Sequence, residues 1–194
     1  RIDVVIANAG FTIAGGFESL TTEDYLCIFN TNFGGMLNAI YPCLEHLKIS
    51  NGKIVIMGSI LGELGIMDRS AYVSTKFAMR GFYESVRYEL KEKGITTILV
   101  EPGFVRTELR NFDKTGKRLE TVTDDHRKKT SHGIAVPPED IARAVLKLLK
   151  KKGFMRAIVP GHAKWMYFVN WIAPKDLATI VYKNRDWIRR KVEK

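Results

Sequence analysis

Most features that mark membrane-spanning, secreted or metal-binding proteins are missing from this chain of 194 residues. No stretch approaches the roughly 18 consecutive apolar residues that a membrane-spanning helix needs. The two cysteines, Cys27 and Cys43, show no spacing typical of a disulfide framework or a metal site, and His162 has no ligand pattern around it. We therefore expect no bound metal, and we expect both thiols to be reduced in a reducing compartment such as the cytoplasm.

The start of the chain also lacks familiar marks. It opens Arg1-Ile2-Asp3-Val4, with no initiating Met and no charged-then-apolar signal segment. We expect the sequence to be a piece that begins in the middle of a longer protein.

Acidic residues are outnumbered, with a formal charge of +10. The excess is uneven, because the range Lys147–Lys164 contains basic residues and no acidic one. Such a bias favours acidic partners, for example a phosphorylated cofactor or anionic lipid. No nucleic-acid-binding motif accompanies it, so we do not expect a nucleic-acid partner.

Short apolar runs alternate with helical patterns along the chain. Four runs predict buried strands: Asp3–Ile6, Lys53–Met57, Thr96–Val100 and Arg156–Pro160. Helical patterns cover Tyr25 to about Lys48, Tyr72 to about Lys93, and Ile141–Lys150. This alternation predicts an α/β fold with a parallel sheet covered by helices on both faces.

Three of these runs end in residues suited to binding. Asn8-Ala9-Gly10, Gly58-Ser59 and Pro102-Gly103 follow the first, second and third predicted strands. In open parallel sheets ligands bind outside the carboxyl ends of the strands. The sequence therefore predicts that these segments meet at one rim of the sheet.

Tyr72 and Lys76 are the strongest chemical signal. On a helix, residues four apart lie on one face, so the phenol and the ammonium group would be neighbours. A nearby cation favours the phenolate and moves the tyrosine pKa from about 10 toward neutrality. With the Ser59 hydroxyl available to hold a substrate oxygen, the pattern indicates a site for carbonyl and alcohol redox chemistry.

Asn32 and Gly35 interrupt the first long helical pattern with poor helix formers. One interpretation is a kink or a close helix contact at the glycines. The other is that an inward-facing Asn32 holds a water or a backbone group near the active site.

Two segments stand apart from the alternation. Residues 104–136 are polar and aperiodic, which is typical of a substrate lid. Residues 162–194 hold all three tryptophans, interleaved with Lys and Arg. This tail either lies on an anionic membrane or packs over the substrate pocket or at a subunit interface, and an apolar tail favours a hydrophobic substrate.

Together these motifs resemble the short-chain dehydrogenase/reductase family in order and spacing. The resemblance covers Arg1 to about Gly161 and includes Tyr72-x-x-x-Lys76, Ser59, Asn32 with Gly35, and Thr107 after Pro102-Gly103. It implies a Rossmann-like doubly wound sheet in three α/β/α layers, with residues 1–161 forming the C-terminal part of one domain. It also implies homodimers or homotetramers paired through the two long helices.

The resemblance assigns roles to individual residues. Ser59 would bind the substrate oxygen, Tyr72 would be the general acid or base, and Lys76 would lower the phenol pKa and bind the nicotinamide ribose. Asn32 would position a water in a proton relay. The cofactor groove would be lined by residues from the strand ends: Asn8, Ala9, Gly10, Tyr72, Lys76, Pro102, Gly103, Val105 and Thr107.

One departure concerns the cofactor. The family's first βαβ unit, with its Gly-rich phosphate turn and the residue that reads the ribose 2′ position, is absent from the sequence. The choice between NADP and NAD therefore rests on the basic charge alone, which favours NADP weakly. The first strand would also be an unpaired edge.

The resemblance implies an NAD(P)-dependent oxidoreductase acting on a small-molecule carbonyl or secondary alcohol that is lipid-like, steroid-like or a long-chain ketone. The alternative is a catalytically inactive dinucleotide-binding sensor or scaffold. Inactive relatives commonly lose the tyrosine or the lysine, and both Tyr72 and Lys76 are present. We expect a cytoplasmic protein, with peripheral membrane contact through the tail as an open alternative.

Overall fold

The computed structural model describes residues 1–107, 109, 135–153, 155–172 and 183. The predicted lid, residues 104–136, lies mostly outside these described residues, as does the tail after Ile172 except for Lys183.

Four parallel strands form one sheet in the order β1-β2-β3-β4. Their bounds are β1 Val4–Ala7, β2 Lys53–Met57, β3 Thr96–Pro102 and β4 Met155–Val159. The prediction of four strands in a parallel sheet is confirmed. The ends differ by one or two residues, because β1 and β4 are each displaced by one position and β3 continues to Pro102.

Six α-helices accompany these strands in the described part of the chain. They are α1 Thr22–Phe29, α2 Gly35–Ile40, α3 Leu44–Ser50, α4 Ser70–Glu92, α5 Pro138–Leu149 and α6 Gly161–Ile172. Thr21 caps α1, since its side chain accepts from the Asp24 N–H while the Asp24 carboxylate accepts from the Thr21 N–H.

Both faces of the sheet carry apolar cores. On one face Ile54, Ile56 and Leu99 pack against residues of α2, α3 and α4, including the fully buried Tyr83. On the other face Val55, Ile98 and Val100 pack against α5. Alternate residues of β2 and β3 thus enter opposite cores, and the predicted three-layer α/β/α arrangement is confirmed.

The long helical pattern between Tyr25 and Lys48 is divided rather than continuous. A π-helical turn, Asn30–Gly34, separates α1 from α2, and a 3₁₀ turn, Tyr41–Cys43, separates α2 from α3. Single π turns inside α-helices are often found at functional sites. Cys27 and Cys43 are both partly buried and are not joined in a disulfide.

One predicted burial pattern is wrong. The first strand was expected to be buried, but Val4 is 38% and Ile6 49% exposed. Among the described strands, β1 pairs only with β2 and is an edge strand, as expected. Because α5 covers the later strands, one face of β1 is exposed.

Helix α6 packs against the end of the sheet formed by β4 and against the segment after β2. Its buried Ala163 joins Ile158 of β4 and Ile60 and Leu64 of the segment after β2. None of the helices in the described ranges has both the length and the apolar character required to cross a bilayer.

Candidate active site

The site is built at the carboxyl ends of three neighbouring strands. Asn8 follows β1, Ser59 follows β2 and Gly103 follows β3. Because these strands are parallel and adjacent, their carboxyl ends lie along one edge of the sheet. The predicted convergence of the three segments at one rim is confirmed.

Tyr72 and Lys76 lie in the first two turns of α4 and face inward, with only 8% and 7% exposure. The Lys76 Nζ is 5.5 Å from the centroid of the Tyr72 ring, so the two groups are neighbours as their spacing predicts. The same Nζ donates a hydrogen bond of 2.8 Å to the carbonyl oxygen of Met57 at the end of β2. Desolvation by burial lowers the pKa of Lys76 to about 8.

Ser59 is buried two residues after the end of β2 and caps a 3₁₀ turn, Ile60–Gly62. Its Oγ accepts a hydrogen bond of 3.1 Å from the Leu61 N–H, which fixes the rotation of the side chain. With a lone pair used in this way, the hydroxyl proton can be donated to a substrate oxygen.

Gly62 brings this turn against α4. A Cβ on Gly62 would lie 2.9 Å from the carbonyl oxygen of Lys76, closer than real Cβ atoms approach a backbone oxygen. Only glycine allows the turn to pack here, so Gly62 sets the separation between the Ser59 turn and the Lys76 backbone. This role of Gly62 was not predicted from the sequence.

Asn32 is fully buried in the π-helical turn. Its Oδ1 accepts from the Phe11 N–H at 2.9 Å, and its Nδ2 donates to the Phe11 carbonyl at 3.0 Å and to the Thr75 Oγ1 at 3.1 Å. Thr75, also fully buried, donates to the Tyr72 carbonyl at 2.8 Å. The inward position predicted for Asn32 is confirmed, and the group it holds is the backbone of Phe11.

The Asn8–Gly10 segment passes beside Asn32. Asn8 and Ala9 are exposed, and a Cβ on Gly10 would lie 2.8 Å from the Asn32 Oδ1. Gly10 thus lets the loop after β1 reach the amide that also contacts α4. Phe11 and Thr75 were missed from the sequence, because a backbone group and a buried hydroxyl carry no motif.

The segment after β3 is held at its start and paired further on. The Gly103 N–H donates to the Val159 carbonyl at 2.7 Å, and Val105 forms a parallel bridge with Val136. Thr107 is exposed, and its Oγ1 accepts from the Leu109 N–H at 3.4 Å. The structure therefore places Pro102 and Gly103 at the rim. Val105 instead packs against the core between the sheet and α5, and the described contact of Thr107 is with Leu109.

The arrangement offers a phenol beside a buried amine, a rotationally fixed hydroxyl, and small residues at adjacent strand ends. Such a set can exchange a proton with an oxygen atom of a bound molecule and hold that oxygen in place. The small residues permit the close backbone approach that a nucleotide needs.

Comparison with known sequences identifies the family of the chain. A family model described as short chain dehydrogenase matches residues 1–118. An uncharacterized oxidoreductase of Schizosaccharomyces pombe is 31% identical over 195 residues, covering 95% of this chain and 80% of that protein. Retinol dehydrogenase 8 of Bos taurus is 30% identical over 169 residues, covering 77% of this chain.

Solved structures agree on the fold. A short chain dehydrogenase from Burkholderia cenocepacia, crystallised in complex with NADP, has a TM-score of 0.75 at 20% identity, covering 93% of this chain and 68% of that one. The chain spans only 53% of the length of the bovine retinol dehydrogenase 8. On the family match, the relatives and the rim that carries Ser59, Tyr72 and Lys76, the chain belongs to the short chain dehydrogenase family.

Proposed function

We propose that this chain forms the catalytic part of an NAD(P)-dependent oxidoreductase acting on a carbonyl or secondary alcohol. The observation that carries the proposal is the buried Lys76 amine, 5.5 Å from the Tyr72 ring and bonded to the end of the strand that leads to Ser59. An inactive sensor would not require this pairing of a phenol with a buried cation.

In this proposal Ser59, Tyr72 and Lys76 have different roles in the reaction. Ser59, oriented by the Leu61 N–H, donates its hydroxyl proton to the substrate oxygen. Tyr72 gives a proton to that oxygen in reduction and removes it in oxidation. Lys76 in its charged form favours the phenolate and supplies a donor for the ribose.

The described residues fit the nicotinamide half of the cofactor. When bound, the cofactor supplies or accepts a hydride at the carbonyl carbon. Lys76 and Tyr72 would face its ribose, the Asn8–Gly10 loop would line the groove, and Pro102–Thr107 would border the nicotinamide. NADP is weakly preferred, because the chain carries a net charge of +10.

In this proposal Asn32 mainly stabilises the structure around the site. Both ends of its amide are bonded to Phe11 and Thr75, so its side chain ties the loop after β1 to α4. A water in the proton relay would then be held by carbonyl groups of the π-helical turn.

The proposed substrate is hydrophobic. Two observations support this. One relative is a retinol dehydrogenase, and α6 carries large apolar side chains beside the sheet. A lipid-like, steroid-like or long-chain carbonyl compound would fit such surroundings.

We also propose that the protein forms dimers or tetramers through α1 and α4. Apolar side chains on these helices are exposed in the single chain: Leu26 56%, Phe29 36%, Phe77 42% and Tyr88 53%. Pairing would bury them. Sedimentation of the purified protein tests this, since a monomer at micromolar concentration would contradict it.

Peripheral contact of α6 with an anionic membrane belongs to the proposal as well. At 100° per residue the exposed side chains fall on one side of the helix, whereas Ala163 and Met166 lie on the side packed against the core. The exposed set is Trp165 66%, Phe168 54%, Trp171 71% and Ile172 59%. Aromatic side chains favour the membrane–water boundary, and the exposed Lys164 on the same side suits anionic headgroups.

The reaction is tested by following NADPH and NADH consumption by the full-length protein with retinal, a long-chain ketone and a small polar ketone. We expect turnover of the hydrophobic compounds, and we expect Tyr72→Phe to lose it while cofactor binding measured by fluorescence is retained. Tyr41→Phe, which changes a 65% exposed tyrosine in the 3₁₀ turn between α2 and α3, is the matched control. Activity that survives in Tyr72→Phe would contradict the mechanism.

A further inference from the structure

A buried cluster of charged side chains lies next to the site, on the face of the sheet that packs against α4. At its centre is Arg156 of β4. The Arg156 Nε donates to the Glu101 Oε2 at 2.5 Å, and its Nη2 forms an ion pair with the Glu63 Oε1. One guanidinium group therefore holds two carboxylates from different parts of the chain.

Each carboxylate is next to a segment of the site. Glu63 directly follows the 3₁₀ turn that begins after Ser59, and Glu101 directly precedes Pro102 and Gly103. The side chain of Glu63 is 3% exposed and that of Glu101 is 0% exposed. Both acids are thus inside the protein, where an unpaired charge would be strongly unfavourable.

Two further elements, besides β4, fix the position of Glu63. Its Oε2 pairs with the Arg80 Nη1 of α4 at 2.8 Å, one helical turn beyond Lys76. Its backbone carbonyl accepts from the Asn170 Nδ2 of α6 at 3.0 Å. With Arg156 contributed by β4, the residue after the Ser59 turn is held by two helices and a strand.

Arg156 is itself held in place. Its guanidinium lies 5.1 Å from the centroid of the Tyr167 ring of α6, and its side chain is 23% exposed. Burial alone would lower the pKa of Arg156, but Glu101 and Glu63 outweigh this and raise it, so the group stays charged. A planar fork of donors on a cation suits two carboxylates better than a lysine ammonium would.

From this geometry we infer that Arg156 is a positioning residue for catalysis: through Glu63 and Glu101 it holds the Ser59 turn and the Pro102–Gly103 segment in register with each other. A substrate oxygen bound by Ser59 and a nicotinamide beside Gly103 must be placed together for hydride transfer. The two segments are 44 residues apart in sequence, from Ser59 to Gly103, and are joined through one side chain.

The catalytic consequence rests on the proposed function, whereas the structural link does not. The experiment therefore has two readouts on the full-length protein. One is hydrogen exchange of peptides covering residues 59–63 and 101–105. The other is NADPH turnover with whichever of retinal, the long-chain ketone and the small polar ketone the unmodified protein reduces fastest. The variants are Arg156→Met, Arg156→Lys, Glu63→Gln and Glu101→Gln. Arg143→Met, which removes an exposed pair with Asp140, is the control.

We expect Arg156→Met to raise exchange about tenfold in both segments, because the paired carboxylates lose their common partner. Glu63→Gln should raise it only in residues 59–63, and Glu101→Gln only in residues 101–105. Arg156→Lys should be intermediate, and turnover should fall about tenfold or more in Arg156→Met with little change for Arg143→Met.

Unchanged exchange in both segments of a folded Arg156→Met would overturn the inference, as would an equal rise across the whole protein in all four variants. If Arg156→Met does not fold, the separate effects of Glu63→Gln and Glu101→Gln decide. Loss of all turnover in the unmodified protein would refute the proposed function alone, because the segment-specific exchange would still test the link.

Discussion

The Nζ of Lys76 donates a hydrogen bond of 2.8 Å to the carbonyl oxygen of Met57, so the first turns of α4 are tied to the carboxyl end of β2. This contact keeps the amine out of water beside the Tyr72 ring. Its burial is the reason that the pKa of Lys76 falls to about 8.

The lowered pKa predicts how stability changes with pH. Between about pH 8 and pH 10.5 the unfolded chain binds a proton at Lys76 that the folded chain has released, so the free energy of unfolding should rise with pH in this window. The Lys76 contribution should reach about 3 kcal/mol at most. Urea unfolding of the wild type and of Lys76→Met across this range measures it as a difference in slope.

The control for this measurement is Lys147→Met, which removes an exposed lysine from α5. It should leave the wild-type slope unchanged. Parallel pH profiles for the wild type and Lys76→Met would show that the amine has an ordinary pKa in the folded protein.

Gly62→Ala should separate the Ser59 turn from α4. The added Cβ would meet the Lys76 carbonyl oxygen at 2.9 Å, and a backbone oxygen inside a helix cannot move away easily. We expect a loss of about 1–3 kcal/mol in the free energy of unfolding, together with lower turnover. Gly65→Ala is the matched control, since a Cβ there meets nothing within 4 Å.

If Gly62→Ala were as stable and as active as Gly65→Ala, the close packing of the turn on α4 would not matter for the site. Urea unfolding and NADPH turnover, measured on both variants under the same conditions, distinguish the two outcomes.

The strands and the residues at their ends were predictable because both depend on local sequence. An apolar run ended by glycine reveals a buried strand and its loop, as at Lys53–Met57 before Gly58. The proximity of Tyr72 and Lys76 was equally predictable, since residues four apart on a helix lie on the same face whatever the tertiary structure.

The remaining contacts depend on chain segments that meet only in the folded protein. The Glu63–Arg156 pair joins residues 93 positions apart, and no local pattern marks either partner. The Phe11 backbone bound by Asn32 is similarly invisible in sequence. The burial of β1 was predicted wrongly because hydrophobicity indicates a strand but not how many neighbours cover it.

Removing Arg156 should change the titration of Glu101. Burial raises the pKa of Glu101 to about 7, and the hydrogen bond and charge of Arg156 oppose that rise. In Arg156→Met the opposing cation is gone, so the pKa of Glu101 should increase further. Carbon NMR of the glutamate carboxyl groups against pH measures the change, and Arg143→Met should leave it unaffected.

The sign for stability follows from the same shift. Because the pKa of Glu101 is higher in the folded protein than in the unfolded chain, its contribution to stability is fully present below pH 4.5. This contribution is lost as the pH rises from about 4.5 to about 7. In Arg156→Met the loss should extend to higher pH. A Glu101 that titrates at a lower pH in the variant would contradict the idea that desolvation dominates at this carboxyl.

Helix α6 should bind anionic membranes through its exposed apolar side. Replacing Trp165 and Trp171 together with Ala removes the two most exposed aromatic rings of this side, 66% and 71% exposed, without touching the packed Ala163. We expect co-sedimentation with phosphatidylcholine vesicles containing phosphatidylglycerol to fall at least about tenfold, and to be weak on phosphatidylcholine alone for the unmodified protein.

The matched control replaces Ile49 and Leu146, which are 79% and 60% exposed elsewhere on the surface, with Ala. Vesicle binding by this variant should equal that of the unmodified protein, because these side chains lie apart from the aromatic side of α6. If the tryptophan variant instead keeps its vesicle binding but loses self-association in sedimentation, the aromatic side of α6 is a subunit interface. Membrane contact would then have to come from another part of the chain.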